Sequence, residues 1–362
     1  MTPEDLFTKV LRKQILDLSA YKVADAANLI KLDAMENPYT WPESLVAEWL
    51  EQLRYVELNR YPDPYAIQLT QSLRTLNKIP TDSGILLGNG SDELIQLLLM
   101  ALPTGSKVLA PEPSFVMYKQ ICLSLELDYH GISLSPETFE LDLPAFLAAI
   151  EKYQPALIFI AYPNNPTGNL FNPESIHHII QTAPGLVVID EAYAPFANAS
   201  FLPNLTDYPN LILMRTVSKL GLAGLRLGYM AGAAALIDQL NKIRLPYNIN
   251  TLTQVSAEFA LTNHQVFEQQ TDLICAERTR VMQELNALPG IFAFPSAANF
   301  ILFRTPKDTA ETLFNSIKQK GILIKILASQ GGLLIDCLRV TIGTPDENQQ
   351  FLQALSSSLN AL

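Results

Sequence analysis

The chain is poor in the residues that bind metals or form disulfides, because its 362 residues include only three cysteines and four histidines. Cys122, Cys275 and Cys337 stand far apart, without the paired spacing of zinc ligands or redox motifs. Only His177 and His178 are adjacent among the histidines. The sequence therefore predicts neither a disulfide scaffold nor a metal site.

The sequence also lacks positive charge and long apolar runs. Its formal net charge is -11, and no cluster of lysine and arginine offsets this acidity, which disfavours binding to nucleic acid. No apolar run approaches the roughly 18 residues of a membrane span, and the first six residues, MTPEDL, are acidic where a signal peptide is basic. We therefore expect a cytoplasmic protein that binds neither nucleic acid nor membranes. Any anionic ligand must meet cations that are placed locally.

Short apolar runs alternate with amphipathic stretches from about residue 84 to residue 232. This alternation predicts a large α/β domain of three layers, in which helices cover both faces of a mainly parallel sheet. Helix starts are predicted at Asp142 and at Asn172-Pro173. The apolar runs occupy residues 85–87, 107–110, 157–161, 186–189, 211–214 and 225–230.

The pattern changes beyond His264. A long charged helix is predicted over 265–288, followed by strands near 291–294 and 299–303. Asp308 is predicted to open the next helix, and Thr344 with Glu347 forms a capping box after a final strand at 337–342. We expect a smaller α+β domain formed by 264–362 with an N-terminal arm, 1–33. The large domain is then 34–263, with a ligand in the cleft between the two.

Two residues at predicted strand ends have the chemistry that pyridoxal phosphate (PLP) requires. Lys219 follows the run 211–214, and Asp190 ends the run 186–189, where open α/β sheets place ligand-contacting groups. A lysine amine holds the PLP aldehyde as a Schiff base, and a carboxylate keeps the pyridine nitrogen protonated. Taken alone, Lys219 has a surface lysine as its alternative interpretation, and Asp190 has a solvated acidic loop. As a pair they point to PLP.

A glycine-rich turn supplies a candidate phosphate pocket. Residues 88–93, GNGSDE, follow a predicted strand and open an apolar helix, so that free N–H groups at Gly90, Ser91 and Asp92 can bind an anion. Glu93 stands where a dinucleotide-binding fingerprint requires glycine. The alternative is an ordinary turn from strand to helix, with Ser91 as the helix cap.

Other polar side chains follow the remaining strand ends. Asn165 lies in a turn, 162–168, that two prolines and a glycine make rigid, although the segment alone is also readable as a simple turn. Tyr193 stands three residues after Asp190, so both side chains can reach one aromatic ring. Candidate phosphate donors around Lys219 are Thr216, Ser218 and Arg226. The occurrence of all these motifs in order at strand ends favours one cofactor site.

Over nearly its whole length the chain resembles fold-type I PLP-dependent aminotransferases, and within them the histidinol-phosphate aminotransferase family. The closer resemblance rests on segments 32–39 (LDAMENPY), 60–64 (RYPDP), 88–93, 164–168 (NNPTG) and 338–344 (LRVTIGT). It implies that Lys219 binds the PLP aldehyde and Asp190 the pyridine nitrogen. It further implies that Asn165 and Tyr193 bind the ring oxygen, and that Phe115 stacks on the ring. The phosphate contacts it implies are Gly90, Ser91, Asp92, Thr216, Ser218 and Arg226.

The same resemblance implies a homodimer in which Tyr61 reaches the cofactor of the neighbouring subunit, whereas a proline-braced surface loop is the alternative for this segment. Tyr21, Asn37 and Arg339 match substrate-facing positions of the family. Lys325 is a fourth, and it stands where the family pattern leads us to expect an arginine. A buried structural ion pair is the alternative role for Arg339.

The implied reaction transfers an amino group between L-glutamate/2-oxoglutarate and the histidinol phosphate/imidazole-acetol phosphate pair, in L-histidine biosynthesis. The alternatives are other fold-type I PLP enzymes, namely an aromatic aminotransferase or a decarboxylase of phosphorylated amino acids, because they use the same lysine and aspartate. A PLP-sensing transcriptional regulator is a non-enzymatic alternative, which the acidity of the chain disfavours.

Overall fold

The structure is a computed structural model and describes residues 3–20 and 23–362. The strands are β1 (Ile30–Lys31), β2 (Ser83–Asn89), β3 (Lys107–Glu112), β4 (Asp128–Ser133), β5 (Leu157–Ala161), β6 (Leu186–Asp190), β7 (Leu211–Thr216), β8 (Leu227–Ala233), β9 (Phe292–Ala293), β10 (Phe300–Arg304), β11 (Ile322–Leu323), β12 (Lys325–Ile326) and β13 (Cys337–Thr341). The α-helices are α1 (Pro3–Val10), α2 (Lys13–Asp17), α3 (Glu43–Leu53), α4 (Ile67–Asn77), α5 (Gly90–Met100), α6 (Val116–Ser124), α7 (Leu143–Tyr153), α8 (Pro173–Thr182), α9 (Ala234–Leu240), α10 (Thr251–Thr262), α11 (His264–Ala287), α12 (Ala310–Gln319) and α13 (Pro345–Leu359).

A seven-stranded sheet in the order β2-β8-β7-β6-β5-β3-β4 forms the centre of the molecule. The neighbours from β7 to β4 are all parallel, and β8 pairs antiparallel with both β2 and β7. Every residue of β5 is buried, as expected of a strand that is covered on both faces. The predicted mainly parallel α/β sheet is therefore confirmed. The edge strand β4 was not predicted, because its sequence, DYHGIS, contains no apolar run.

The two faces of this sheet are covered by separate sets of helices. Successive strand residues such as Ile158 and Phe159 belong to different core clusters, because side chains alternate between the faces of a sheet. Buried residues of α4, α7, α8 and α10 pack on the Ile158 face. Buried residues of α5, α6 and α9 pack on the Phe159 face. The outcome is the predicted three-layer arrangement, with the carboxyl ends of β5, β6 and β7 side by side.

A second, antiparallel sheet in the order β12-β13-β10-β9 packs with α11, α12 and α13 around its own core. The N-terminal strand β1 pairs in parallel with β11, which joins residues near 30 to this C-terminal part. The division into 34–263 and 1–33 with 264–362 stays a prediction. Among the described residues, the helices are too short or too polar to cross a membrane.

The ends of two C-terminal helices test the predicted caps. The capping box is confirmed, because the Thr344 hydroxyl accepts from the Glu347 backbone and the Glu347 carboxylate accepts from the Thr344 backbone. The prediction that Asp308 opens α12 is wrong. The helix begins at Ala310, and Asp308 has a positive φ of 61° with its N–H bound to the Asp336 carboxylate. Asp308 therefore turns the chain before the helix begins.

Candidate active site

A cavity of about 240 Å³ lies at the carboxyl ends of β5, β6 and β7, next to the segment 34–36 that follows β1. Open α/β sheets bind their ligands at this edge. The cavity brings together ten of the predicted site residues: Ser91, Asp92, Phe115, Asn165, Asp190, Tyr193, Thr216, Ser218, Lys219 and Arg226. Glu36, which was not predicted, also lines it.

Lys219 enters the cavity from a single turn of 3-10 helix that follows β7. Its Nζ donates to the carbonyl oxygen of Ala34 at 3.3 Å and lies 5.7 Å from the centre of the Tyr193 ring. Burial, helped by the positive charge of Arg339, lowers the pKa of Lys219 to about 8. A substantial fraction of the amine is therefore neutral near pH 8, which is the form that attacks a carbonyl carbon.

Asp190 ends β6 and is buried. Its Oδ2 accepts from the hydroxyl of Tyr118 at 2.6 Å, and its Oδ1 accepts from the N–H of Ala192 at 3.1 Å. Burial raises the pKa of Asp190 to about 6, although these two hydrogen bonds favour the charged form and oppose the rise. The carboxylate is therefore mostly ionised at neutral pH. Tyr118 was not predicted, although it stands one helical turn after Phe115, where a second side chain facing the cavity can be expected.

A chain of hydrogen bonds connects the other polar side chains of the cavity to the smaller sheet. The Asn165 amide donates to the Tyr193 hydroxyl at 3.0 Å and accepts from Nη1 of Arg339 at 2.5 Å. Arg339 Nη2 donates to the carbonyl oxygen of Asp33 at 3.1 Å, and its guanidinium lies 5.1 Å from the centre of the Phe300 ring. Asn165 and Tyr193 thus contact each other at the cavity, and their binding to a cofactor ring stays a prediction. Arg339 is buried, and these two partners are neutral oxygen atoms.

The first turn of α5 faces the cavity at Ser91 and Asp92. The residue before the helix is Asn89, whose amide donates to the carbonyl oxygen of Asn248 at 2.6 Å rather than capping the helix. Ser91 lies inside the first turn, so the alternative that it is the helix cap is wrong. The N–H groups of this turn and the helix dipole therefore remain available for an anion.

Arg226 and Gly90 meet beside this turn. Gly90 has a φ of 79°, which strains any residue with a side chain, and a Cβ at this position would also lie 2.6 Å from Nη2 of Arg226 and displace the guanidinium. Arg226 itself has a left-handed backbone, with φ 50°, which costs a non-glycine residue about 1 kcal/mol. Its guanidinium reaches Asp92 Oδ2 at 3.5 Å. The strained turn places a cation next to the N-terminus of α5.

The hydroxyl groups of Thr216 and Ser218 complete this end of the cavity. Their oxygen atoms are 2.8 Å apart, and both side chains are buried. Thr216 also donates to the carbonyl oxygen of Leu227, and it accepts from the Ser218 N–H at 3.1 Å. Hydroxyls, helix N–H groups and an arginine converge here, which is the donor set of a phosphate site.

Three of the predicted substrate residues, Asn37, Lys325 and Arg339, do not line the cavity. Lys325 pairs in register with Arg339 across β12 and β13, so the two side chains project from the same face of the small sheet. Asn37 donates to the carbonyl oxygen of Leu220 at 3.2 Å, directly beside Lys219. Tyr21 lies outside the described residues.

Tyr61 lies on the surface of the chain. It is 80% exposed and stacks on Tyr247 with ring centres 4.5 Å apart. It does not line the cavity of its own chain. The contact of Tyr61 with a neighbouring subunit therefore stays a prediction.

A buried ion pair that sequence reasoning missed supports the cavity from behind. Arg215 donates from Nε and Nη2 to Glu191 Oε2 at 3.0 and 2.7 Å, and Glu191 is completely buried. Glu191 Oε1 also accepts from the N–H of Phe201 at 2.6 Å. The pair connects β7 to the residue that follows Asp190, and a larger cavity of about 570 Å³ lies beside it. Sequence reasoning missed this ion pair because Glu191 directly follows Asp190, in a segment whose alternative interpretation was a solvated acidic loop.

The fold and the cavity define an α/β protein with a half-buried lysine and a buried aspartate that follow neighbouring strands. Residues 27–355 match the family described as aminotransferase class I and II. The chain is 57% identical over 355 residues to histidinol-phosphate aminotransferase 2 of Nitrosococcus oceani, and the match covers 98% of each chain. The chain therefore belongs to the aminotransferase class I and II family.

Solved structures agree with this assignment. The structure of the histidinol-phosphate aminotransferase from Clostridium acetobutylicum matches with a TM-score of 0.85 at 28% identity, covering 92% of this chain and 100% of that one. The histidinol-phosphate aminotransferase from Sinorhizobium meliloti, in complex with pyridoxal-5'-phosphate, matches with a TM-score of 0.86 at 23% identity, covering 97% and 98%. The second likeness shows the fold alone.

Proposed function

We propose that this aminotransferase is PLP-dependent and transfers an amino group between L-glutamate/2-oxoglutarate and histidinol phosphate/imidazole-acetol phosphate, in L-histidine biosynthesis. The observation that carries the cofactor proposal is the position of Lys219, whose pKa is lowered to about 8, in one cavity with the buried Asp190 and a phosphate donor set. The substrate proposal rests on the names of relatives that are up to 57% identical.

The residues of the cavity fit PLP in three ways. Asp190 is a buried carboxylate that suits a protonated pyridine nitrogen, and Asn165 with Tyr193 presents an amide and a phenol to the ring oxygen. At the other end the first turn of α5, Thr216, Ser218 and Arg226 suit a dianionic phosphate. Asp92 would contribute its backbone N–H rather than its carboxylate, which Arg226 approaches at 3.5 Å. Bound PLP supplies an electron sink for the bonds at the substrate Cα.

Each side chain then has a distinct part in the reaction. Lys219 Nζ would hold the cofactor aldehyde and, as a free amine, would move the proton at the substrate Cα. Asp190 keeps the ring nitrogen protonated through its negative charge. Phe115, which lines the cavity, would stack on the ring. The amino group is transferred in two half-reactions, so the kinetics are ping-pong.

The two substrates share one region of positive charge. Arg339 is buried next to Asn165, and Lys325 projects from the same face of the small sheet. We assign Arg339 to the carboxylate of glutamate and to the phosphate of histidinol phosphate, and Lys325 mainly to the phosphate. The ammonium group of Lys325 acts as a point charge, which binds phosphate without the planar, two-pronged geometry that Arg339 offers. Tyr21 and Asn37 complete the proposed substrate contacts.

We test the substrate proposal with a product assay and a variant pair. Purified protein is given histidinol phosphate, phenylalanine or threonine phosphate with 2-oxoglutarate, and the highest kcat/KM is expected for histidinol phosphate. Lys325→Met is expected to raise the KM for histidinol phosphate more than that for glutamate, and Lys325→Arg is expected to preserve both. Preference for phenylalanine, or decarboxylation of threonine phosphate, refutes the proposal that histidinol phosphate is the substrate and leaves the cofactor proposal intact.

The cofactor proposal has its own test. Borohydride reduction followed by peptide mapping is expected to find PLP on Lys219, and Lys219→Ala is expected to abolish turnover. Modification of a different lysine refutes the assignment.

The active form is proposed to be a homodimer in which Tyr61 reaches the partner's cofactor. The support is an exposed apolar surface around Tyr61, which a second copy of the chain can cover. The most exposed large side chains of this surface, each 64–82% exposed, are Tyr55, Leu58, Tyr61, Tyr65, Ile67 and Leu245.

Mixed dimers test the contribution of Tyr61 across the interface. Tyr61→Ala and Lys219→Ala each impair every site of their own homodimer. If Tyr61 acts across the interface, a mixed dimer has one site with both native residues, and random mixing restores about a quarter of native activity. Absence of any recovery in dimers shown to be mixed refutes the contribution across the interface.

A further inference from the structure

A tyrosine that no part of the proposed reaction uses lies directly behind Asp190. Tyr118 is completely buried in α6, and its hydroxyl donates to Asp190 Oδ2 at 2.6 Å. Its ring lies parallel to Phe159 of β5, with centres 4.4 Å apart and an angle of 3° between the planes. Phe115, which lines the cavity, meets the same ring edge-on at 5.5 Å. The ring is thus held on two sides, which fixes the position of the hydroxyl.

From this arrangement we infer that Tyr118 is a positioning residue, which keeps the Asp190 carboxylate oriented and ionised for the pyridine nitrogen. The inference rests on the proposed PLP function. Burial and the neighbouring negative charge of Asp190 raise the pKa of Tyr118, so the phenol stays protonated and acts as donor. A carboxylate offers about four lone-pair sites. Tyr118 and the Ala192 N–H occupy one on each oxygen, which leaves room for the ring N–H.

The electrostatic surroundings explain why Asp190 needs such a donor. Desolvation disfavours its charged form, and the carboxylates of Asp92 on α5 and Glu191 in the next position add repulsion. Lys219 and Arg226 are cations that line the same cavity. A hydrogen bond to a carboxylate favours its ionised form, so loss of the Tyr118 hydroxyl raises the pKa of Asp190 above its value of about 6.

Tyr118→Phe isolates the hydroxyl, because it removes one oxygen atom and keeps the ring between Phe159 and Phe115. Tyr129→Phe is the matched control. Tyr129 packs against the same core cluster from the edge strand β4, and its phenol lies beside a different carboxylate, Glu112. Circular dichroism spectra like those of wild type, together with cooperative unfolding of the PLP-free proteins, show that neither variant has disturbed the fold; a lower stability of Tyr118→Phe at neutral pH is itself expected from the lost hydrogen bond.

The first measurement is made on protein without PLP. Difference infrared spectroscopy follows the protonated carboxyl band of Asp190, which is assigned by its disappearance in Asp190→Asn. In Tyr118→Phe the pH midpoint of the Asp190 titration is expected to rise by about one to two units, which is the free energy of a hydrogen bond to a charged group. In Tyr129→Phe the midpoint is expected to stay unchanged. An unchanged midpoint in Tyr118→Phe overturns the inference. Failure of PLP to bind Lys219 would refute the proposed function without altering this titration.

The second measurement asks whether Tyr118 acts through Asp190. In the PLP-loaded enzyme, Tyr118→Phe is expected to lower kcat/KM by about tenfold or more, and to have little further effect in an Asp190→Asn background. An equal loss in both backgrounds shows that the tyrosine acts through packing, which also overturns the inference.

Discussion

Lys219 is expected to destabilise the PLP-free protein at neutral pH. Its folded-state pKa of about 8 lies below the ordinary lysine value of about 10.4, chiefly because of burial. Between these two values the unfolded chain binds more protons than the folded chain, so stability rises with pH across this range. Below pH 8 the folded protein carries the full cost of burying an ammonium group.

Replacing Lys219 by methionine removes the charge and keeps a side chain of similar length. One pH unit corresponds to about 1.4 kcal/mol, so Lys219→Met is expected to raise the free energy of unfolding by about 2–3 kcal/mol at pH 7, allowing for partial exposure of the side chain. The lost hydrogen bond to Ala34 O, at 3.3 Å, offsets only a small part of this. The difference in the free energy of unfolding between Lys219→Met and wild type should shrink above pH 8 and vanish near pH 10.5.

Urea unfolding of both proteins without PLP, at equal protomer concentration and from pH 7 to 10.5, measures the difference. Lys242→Met is the control, because Lys242 is an exposed lysine for which a change within about 0.5 kcal/mol is expected. A variant that is less stable than wild type at pH 7, or a difference that does not change with pH, would refute the reasoning.

Three further substitutions test other parts of the site. Asp190→Asn should retain PLP yet lose about a thousandfold or more in kcat, because a neutral amide does not hold the pyridinium proton; turnover near the native rate contradicts the role. Arg339→Ala should cost about 2–5 kcal/mol of transition-state stabilisation in both half-reactions, measured by single turnover with glutamate and with histidinol phosphate. Intact rates with both substrates would show that another cation binds them. Arg215→Met leaves the buried Glu191 unpaired and should lower the free energy of unfolding by about 3–5 kcal/mol in urea titrations, whereas Arg54→Met at an exposed pair should change it by less than about 1 kcal/mol.

Apart from the edge strand β4, the sequence alone was sufficient to predict the central sheet and the positions of Asp190 and Lys219 after two of its strands. Parallel strands that are buried on both faces appear in the sequence as continuous apolar runs. A polar residue that ends such a run lies where the carboxyl ends of the strands meet solvent or a ligand. Asp190 and Lys219 were therefore predictable from position and residue type. Gly90 was predictable for a related reason, because a glycine between a strand and a helix marks a turn with positive φ.

The partners of these residues were not predictable, because they depend on how helices pack on the sheet. Tyr118 reads as one apolar position of an amphipathic helix, and nothing in the sequence says that its hydroxyl meets Asp190, 72 positions away. The sequence suggests that Glu191 is a solvated acidic side chain, yet in the structure Glu191 is buried and paired with Arg215. Local pattern specifies which face of an element is buried, whereas only the assembled fold specifies which polar atoms meet there.

The two central groups of the cavity are shifted in opposite directions by one cause. Burial lowers the pKa of Lys219 to about 8 and raises that of Asp190 to about 6, because desolvation disfavours the charged form of a base and of an acid alike. In the proposed complex Lys219 would hold the PLP aldehyde and Asp190 the protonated ring nitrogen, which would satisfy both groups at once. The hydrogen bonds from Tyr118 and Ala192 then keep Asp190 ionised, so that burial alone does not neutralise the charge on which the proposed reaction depends.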